Sequence, residues 1–240
     1  MNDKIVFVDV GGLGGLKPEW QPFREMLMPI VFEPNSGHAN GLRPEIEGAL
    51  GGRVVEAALG SAEGHHILNI TKAAGCSSLL QPNRETLSEF SVECAFEITG
   101  RQIIQCVRYD ELAKREGLPS PDIIKIDVQG YEHEVLLGFG DMLADCVAIE
   151  LEAHLYPLYE GQKLLHDYVA LLKPFGLTLR KLTPSEHFDG FAVEYDAWFT
   201  AGPRRVDTLS PNKLRALEMA ERAWDLPQRR KIFDAATFAG

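Results

Sequence analysis

The apolar run of residues 5–10 contains Asp9 and is followed directly by a glycine-rich segment with Gly11, Gly12 and Leu13. Glycines at the end of a strand let the backbone pass close to a ligand, and the amides that open the next helix attract it. In dinucleotide sites this corner binds a pyrophosphate, but the spacing here does not fit GxGxxG and Asp9 would repel a pyrophosphate. Asp9 would instead attract the amino group of a methionine-like ligand. A tight turn without any ligand is the alternative.

Glu33 and Pro34 end the next apolar run, roughly twenty residues further along the chain. An acidic residue at this place accepts hydrogen bonds from both ribose hydroxyls in Rossmann-like sites. A strand that ends in a solvated glutamate is the alternative. Together with Asp9 and the glycines, Glu33 predicts an adenosine-binding site.

Asp127 lies at the end of the apolar run of residues 122–128 and is followed by Gln129 and Glu132. Ligands of open α/β sheets bind outside the carboxyl ends of the strands, so we expect Asp127 and Gln129 to face the cleft. A buried carboxylate needs a partner, which makes Asp127 hard to explain by packing alone. Glu132 opens the next helix, where the helix dipole favours a carboxylate, so a structural role competes with a functional one.

Glu150, Glu152 and His154 follow the apolar run of residues 146–151 at alternate positions. If the strand extends that far, alternation places the three side chains on one face of the sheet. A carboxylate and a histidine can form a base and its orienting partner. With Asp127 they could also supply the oxygen and nitrogen ligands of a divalent metal. A polar loop after the strand is the alternative.

Strands and helices alternate along the chain and must position these four segments. Strands are predicted at residues 5–10, 29–34, 53–59, 122–128, 146–151, 177–182 and 192–200, with a hairpin or meander from 66–70 and 103–107. Helices are predicted at residues 20–28, 131–139, 162–175 and 211–225, with Gly176 and Ser210 as caps. The alternation indicates a Rossmann-like α/β fold with a mostly parallel sheet and helices on both faces. We expect one domain over residues 1–240, with a core of about 4–200 and a C-terminal helical tail over 203–240.

The composition excludes several classes of protein. The chain is 45% hydrophobic and 25% charged, which is ordinary for a soluble globular protein, and its net charge of -11 argues against a nucleic-acid-coating surface. The four cysteines have no CxxC pair, so neither a disulfide framework nor a zinc site is expected. No apolar run approaches the roughly 18 residues of a membrane span. We therefore expect a cytoplasmic protein.

Several motifs, taken in order over roughly residues 5–180, resemble the FkbM family of S-adenosylmethionine (SAM)-dependent methyltransferases. The longest is IIKIDVQGYEHEVLLG at residues 123–138. The others are FVDVGG at 7–12, FEPN at 32–35, EAALG at 56–60, CSSL at 76–79, YEGQ at 159–162 and FGL at 175–177. The family commonly has Glu at the position of Gln129 and Asn at the position of Leu13. Because the first strand begins at residue 5, we expect no leading helical segment that would help to close the site.

The resemblance implies a class I methyltransferase fold with a seven-stranded sheet and SAM as the methyl donor. It also implies O-methylation of a hydroxyl on a sugar, a glycan or a natural-product scaffold. By position, Asp9, Gly11 and Leu13 would line the methionine end of the cofactor, Glu33 would bind the ribose, and Ala58 would border the adenine.

For the chemistry, we expect Asp127 or His154 to act as the base, with Glu150 and Glu152 orienting the acceptor or a divalent ion. Two other functions stay open. An NAD-type dehydrogenase is compatible with the glycine corner and Glu33, although GxGxxG is missing. A non-catalytic SAM-binding module is compatible with Gln129.

Overall fold

A computed structural model describes residues 4–12 and 14–227 of this protein. Ten strands in these ranges form two sheets. In chain order they are β1 (Ile5–Val10), β2 (Leu27–Phe32), β3 (Arg53–Val55), β4 (Ala58–Leu59), β5 (Gly64–Thr71), β6 (Ile98–Val107), β7 (Ile123–Ile126), β8 (Ala148–His154), β9 (Leu177–Pro184) and β10 (Glu194–Ala201). The α-helices are α1 (Ser36–Arg43), α2 (Arg84–Leu87), α3 (Tyr109–Glu116), α4 (Glu132–Phe139), α5 (Leu165–Leu172), α6 (Pro203–Val206) and α7 (Pro211–Ala223). No helix in these two ranges is long and apolar enough to cross a membrane.

Seven strands form the large sheet in the order β3-β2-β1-β7-β8-β10-β9. The β3, β2, β1, β7 and β8 strands run parallel, and β10 is antiparallel to both of its neighbours. β1 is buried along its whole length, which explains why its sequence is a continuous apolar run rather than an alternating one. The prediction of a Rossmann-like, mostly parallel seven-stranded sheet is confirmed.

Side chains alternate along each strand, so the central strands present apolar residues on both faces of the sheet. Helices cover both faces and bury these residues. On one face, Val6, Val8 and Val10 pack with residues of α3, α4 and α5 in the largest buried cluster. On the other face, Ile5 and Phe7 pack with α7 and with the 3-10 helix Pro18–Met26. The two faces therefore have separate apolar cores.

The short helices were harder to predict than the strands. The stretch predicted as a helix at residues 20–28 is the 3-10 helix Pro18–Met26, and β2 begins at Leu27, earlier than expected. Helices α1 (Ser36–Arg43) and α3 (Tyr109–Glu116) were not predicted. The caps are confirmed: the Ser210 side chain accepts a hydrogen bond from the Lys213 amide, and Gly176 is left-handed with φ of 69°.

The predicted strand at residues 53–59 is wrong, because the chain changes sheets within it. β3 ends at Val55, a tight turn joins the Ala57 amide to the Val55 carbonyl at 3.0 Å, and β4 then pairs with β6. The second sheet has the order β4-β6-β5, with β5 and β6 antiparallel and longer than the expected hairpin strands. A local apolar pattern does not reveal such a change of partner.

Candidate cofactor and active site

A cavity of about 380 Å³ lies at the carboxyl ends of β1, β2, β7 and β8, where open α/β sheets bind their ligands. Its volume is within the range of small-molecule sites, roughly 300–1,000 Å³. One face of the three-stranded sheet forms part of the wall through Leu68, Ile70, Gln102 and Ile104. The cavity therefore depends on both sheets.

Several of the predicted site residues meet in the wall of this cavity. They are Gly11, Glu33, Pro34, Ala58, Asp127 and Glu152. Four others are not among the described residues that line it: Asp9, Gly12, Glu150 and His154. Leu13 lies outside the described residues, so its contact with the methionine end stays a prediction.

The turn after β1 approaches its neighbours too closely for a side chain. Gly11 has φ of 82°, and a Cβ atom there would lie 2.0 Å from the Asp127 carbonyl oxygen. Its amide donates to the Phe32 carbonyl at 3.1 Å, which attaches the turn to the end of β2. A Cβ on Gly12 would lie 2.3 Å from a methyl of Val31. The glycines thus form a backbone cradle at the cavity edge, where the chain passes directly against Asp127.

Asp9 lies beneath this turn and forms a buried ion pair with Lys125. The Lys125 Nζ atom is 3.1 Å from Asp9 Oδ1 and 3.8 Å from Asp127 Oδ2, and it donates to the Gly11 carbonyl at 3.4 Å. Burial raises the pKa of Asp9, and the Lys125 charge opposes this rise. Sequence reasoning missed Lys125, which the parallel pairing of Asp9 with Lys125 across β1 and β7 brings into place. The expected contact of Asp9 with a ligand amino group stays a prediction.

Glu33 lines the cavity, and no hydrogen bond to its Oε2 atom is found among the described residues. Its Oε1 accepts a hydrogen bond from the Asn35 amide at 2.7 Å, and His38 Nδ1 is 3.9 Å from the same oxygen. Burial raises the pKa of Glu33. This geometry fixes the carboxylate at the end of β2 and fits a group that accepts hydrogen bonds from ribose hydroxyls.

Apolar side chains surround the part of the cavity next to Glu33. Ala58 and Leu59 come from β4, Leu68 and Ile104 from β5 and β6, and Tyr131 from the turn before α4. Flat, apolar walls of this kind suit an adenine ring. Sequence reasoning found Ala58 but not the others, because they lie in the region of the expected hairpin and in a helix start.

Gln129 links two carboxylates at the other end of the cavity. Its backbone has φ of 57°, and its side-chain amide donates to Glu152 Oε2 at 2.9 Å and to Asp127 Oδ1 at 3.3 Å. The Tyr159 hydroxyl donates to Gln129 Oε1 at 3.1 Å. The Gln129 amide nitrogen therefore holds Asp127 and Glu152 together, and Tyr159 fixes the amide oxygen.

Glu132 holds the turn that carries Gln129. The fully buried Glu132 side chain accepts hydrogen bonds from the Val128 and Gly130 amides at 3.2 and 3.1 Å, and from the Tyr168 hydroxyl at 3.3 Å. Burial raises the pKa of Glu132. The structural role that competed for Glu132 is the one that its contacts support.

Glu150 and His154 are both on the expected face of β8 but are buried behind the cavity. Lys17 Nζ lies 2.6 Å from Glu150 Oε1, so Glu150 is held in an ion pair. His154 is completely buried, with its Nδ1 2.9 Å from Gln162 Nε2 and its Nε2 3.3 Å from Glu194 Oε2. Sequence reasoning missed Gln162 and Glu194.

The contacts of Gln162 determine the protonation of His154. Gln162 Oε1 accepts the Leu158 and Tyr159 amides at 2.8 and 3.1 Å, so its amide nitrogen must be the atom that faces His154. That nitrogen donates to Nδ1, and the ring proton is therefore on Nε2. His154 is a hydrogen-bond donor toward Glu194, and its lone pair is already used.

The same contacts bear on a divalent metal. In the described part of the chain, one group has the composition of a metal site: ligand atoms of Glu152, His154 and Glu194 lie within 4.8 Å of one another. Metal-bound histidines normally donate their other ring N–H to an acceptor. Here the Gln162 amide presents a donor to that position, so these residues do not fit a metal ion.

Comparison with known proteins identifies the family. The family model for the methyltransferase FkbM domain matches residues 18–180. The chain belongs to the FkbM methyltransferase family. The match to the FkbM domain thus begins at the 3-10 helix Pro18–Met26, includes β2, β7 and β8, and ends in the middle of β9. No curated protein matches the chain.

Solved structures match this chain at low sequence identity. The methyltransferase FkbM from Methylobacillus flagellatus KT is 13% identical with a TM-score of 0.48, and the match covers 82% of this chain and 44% of that one. This chain thus spans less than half the length of that relative. Magnesium protoporphyrin IX methyltransferase from Synechocystis PCC 6803, with bound SAM, is 8% identical with a TM-score of 0.42, and the match covers 83% and 70% of the two chains.

Proposed function

We propose that this FkbM domain is a SAM-dependent methyltransferase that methylates a hydroxyl of a sugar, glycan or natural-product acceptor. The observation that carries the proposal is the cavity of about 380 Å³ that contains Glu33, the Gly11 backbone and Asp127. A hydrogen-bond acceptor for ribose, apolar walls for adenine and a cradle without side chains match the parts of SAM. The cofactor would supply a methyl group on a sulfonium, which is an electrophilic carbon.

The order of the strands orients the reaction within the cavity. Glu33 follows β2 and Glu152 belongs to β8, and β1 and β7 lie between them. At ~4.8 Å per strand, β2 and β8 are about 14 Å apart across the sheet. With the ribose at Glu33, the reactive end would face Asp127 and Glu152. Holding donor and acceptor there is the main contribution that the chain would make to the rate.

A hydroxyl acceptor must lose its proton, and two carboxylates are placed to take it. Asp127 and Glu152 both line the cavity. His154, the other base expected from the sequence, offers no free lone pair because Gln162 donates to Nδ1. The geometry therefore favours a carboxylate as the base and makes His154 a donor behind it.

Binding measurements test the cofactor assignment first. Calorimetric titration should show binding of SAM and S-adenosylhomocysteine, with NAD as the comparison ligand. Glu33→Ala should weaken SAM binding by about 10- to 100-fold, since hydrogen bonds to a charged group contribute roughly 1.5–3 kcal/mol. Glu56→Ala, at a half-exposed carboxylate outside the cavity wall, is the matched control and should bind normally.

The opposite results have clear meanings. Binding of NAD but not of SAM would contradict the proposed methyltransferase function and favour an NAD-type dehydrogenase. Binding of SAM without formation of S-adenosylhomocysteine, over a panel of glycosides and phenolic or polyketide alcohols, would favour the non-catalytic binding module.

A further inference from the structure

Three polar side chains meet behind the acceptor end of the cavity, on two neighbouring strands. Glu152 and His154 belong to β8, and Glu194 begins β10, directly opposite His154 in the antiparallel pairing. The His154 Nε2 atom is 3.3 Å from Glu194 Oε2 and 3.9 Å from Glu152 Oε2. Glu152 and Glu194 are 17% and 11% exposed, and His154 is not exposed at all. We refer to Glu152, His154 and Glu194 as the trio.

The trio contains two buried carboxylates and a single N–H between them. The orientation of Gln162 keeps a His154 proton on Nε2, so the imidazole donates from that atom. The ligand atoms of Glu152 and Glu194 lie within 4.8 Å of each other. Two carboxylates this close resist ionising together, because each charge disfavours the other in a poorly solvated site. The chemistry of the trio therefore concerns a proton rather than a metal ion.

The two carboxylates are not equivalent. Glu152 Oε2 accepts the Gln129 amide, and no hydrogen bond to Glu152 Oε1 is found among the described residues, although Glu152 lines the cavity. Glu194 faces the donors on the other side: His154 Nε2 at 3.3 Å and the exposed His187 ring at 3.6 Å. Glu152 is thus the member of the trio with an oxygen available to an acceptor.

We propose that Glu152 is the proton acceptor of the methyl transfer and that Glu194 and His154 are positioning residues that set its proton affinity. This inference rests on the proposed function and specifies the chemistry of its site. The acceptor hydroxyl gives its proton to Glu152 Oε1 as its oxygen bonds to the methyl carbon. The electron pair of the broken carbon–sulfur bond stays with sulfur, and Glu152 later returns the proton to water.

The electrostatics of the trio agree with this division. Burial, and then the charges of Glu194 and Asp127, raise the pKa of Glu152 well above its ordinary value. Burial is also the largest influence on the pKa of Glu194, but the hydrogen bonds from His154 and Ser185 and the electrostatic attraction of His154 and His187 together outweigh it and lower that pKa. Two more carboxylates face Glu152, Glu132 from α4 and Asp196 from β10, and both raise its pKa further. A carboxylate with a raised pKa is a stronger base than an ordinary one.

An acceptor-independent test compares the stabilities of wild type and Glu152→Gln by urea unfolding from about pH 4 to about pH 9. The folded-state pKa of Glu152 is above its unfolded value. The stability contributed by the protonated form is therefore present below the unfolded value and is lost as the pH rises through the folded value. The glutamine variant does not lose it. We expect the stability of the variant relative to wild type to increase with pH over that interval.

The same comparison in a Glu194→Gln background tests the role of Glu194. Removing the neighbouring charge should lower the pKa of Glu152, so that Glu152→Gln produces a smaller pH-dependent difference there. A difference that is absent, or that favours wild type at high pH, would show that Glu152 is ionised throughout and would overturn the proposal. Stabilisation by Mg²⁺ or Mn²⁺ that Glu152→Gln abolishes would also overturn it, in favour of a metal site.

The catalytic part is tested by the rate of S-adenosylhomocysteine formation with a panel of neutral glycosides. Glu152→Gln should reduce kcat by about 10²- to 10⁴-fold without changing SAM affinity. The acid limb of the kcat–pH profile should move to lower pH in Glu194→Gln, which a merely structural role would not cause. Unchanged kcat in Glu152→Gln would exclude it as the proton acceptor. Failure of wild type to bind SAM would instead contradict the proposed function. The stability comparison would still test whether Glu194 raises the pKa of Glu152.

Discussion

The backbone of Gly11 shows how one residue shapes the glycine turn at the edge of the cavity. Its left-handed φ of 82° is a conformation that residues with a side chain rarely adopt, and its Cα faces the Asp127 carbonyl. Two constraints thus act at one position, and the second exists because β1 and β7 are neighbours in the sheet. A glycine motif in the sequence signals the first constraint, but the fold supplies the second.

Gly11→Ala should lower the free energy of unfolding by about 2–5 kcal/mol, since it adds steric overlap to backbone strain. SAM affinity should fall as well, because the turn must move away from Asp127. Gly14→Ala is the matched control, since Gly14 has φ of 90° but a Cβ added there would have no heavy atom within 4 Å. Urea unfolding should show a loss of only about 1–2 kcal/mol for this control. Equal losses in the two variants would mean that the contact with Asp127 does not matter.

Between elements, the Asp9–Lys125 pair connects the two central strands at the end where the cavity opens. Lys125 contacts the Asp9 carboxylate, the Gly11 carbonyl and the Asp127 carboxylate, with the side chains of Asp9 and Lys125 only 4% and 5% exposed. The pair therefore joins β1, the glycine turn and β7. Its position under the glycine turn indicates that it supports this edge of the cavity.

Lys125→Met should reduce the free energy of unfolding by about 3–5 kcal/mol, because Asp9 is left buried without its cation. Adding Asp9→Asn should recover part of this loss, since the unpaired charge is removed. A double-mutant cycle by urea unfolding measures the coupling. If the two losses simply add, the ion pair is not what holds the strands together at this end.

At the scale of the whole molecule, different helices cover the two faces of the large sheet. The face covered by α3, α4 and α5 contains the largest apolar cluster, whereas α7 and the 3-10 helix Pro18–Met26 close the opposite face. Trp20 and Trp224 meet edge to face with ring centres 5.6 Å apart, so the C-terminal helix is packed against the beginning of the fold. The part of the chain beyond the FkbM domain match thus completes a core.

Leu217→Ala in α7 should cost about 2–5 kcal/mol of stability through the cavity it leaves, because Leu217 is 2% exposed. SAM affinity should be unchanged, since Leu217 is not among the described residues of the cavity wall. Glu218→Ala, at the exposed neighbouring position, should alter stability by less than about 0.5 kcal/mol. A large loss of SAM binding in Leu217→Ala would show that α7 is coupled to the site.

Much of the fold follows from local patterns. Apolar, β-branched runs identify the central strands β1, β2 and β7, because a strand buried on both faces is composed almost entirely of apolar residues. The carboxyl ends of those strands also locate Glu33, Asp127 and Glu152 at one edge, since parallel strands end on the same side. The caps at Gly176 and Ser210 depend only on neighbouring residues and were equally predictable.

The remaining features depend on residues that are far apart in the sequence. Lys125 finds Asp9 through the register of β1 with β7, and Glu194 finds His154 through the antiparallel pairing of β10 with β8. The transfer of Ala58 to a second sheet, and the rotation of Gln162 that places a donor on His154, depend likewise on packing. The chain sequence therefore determines which groups lie at the edge of the sheet. Strand register and burial decide which of them are paired, because both arise only when distant segments come into contact.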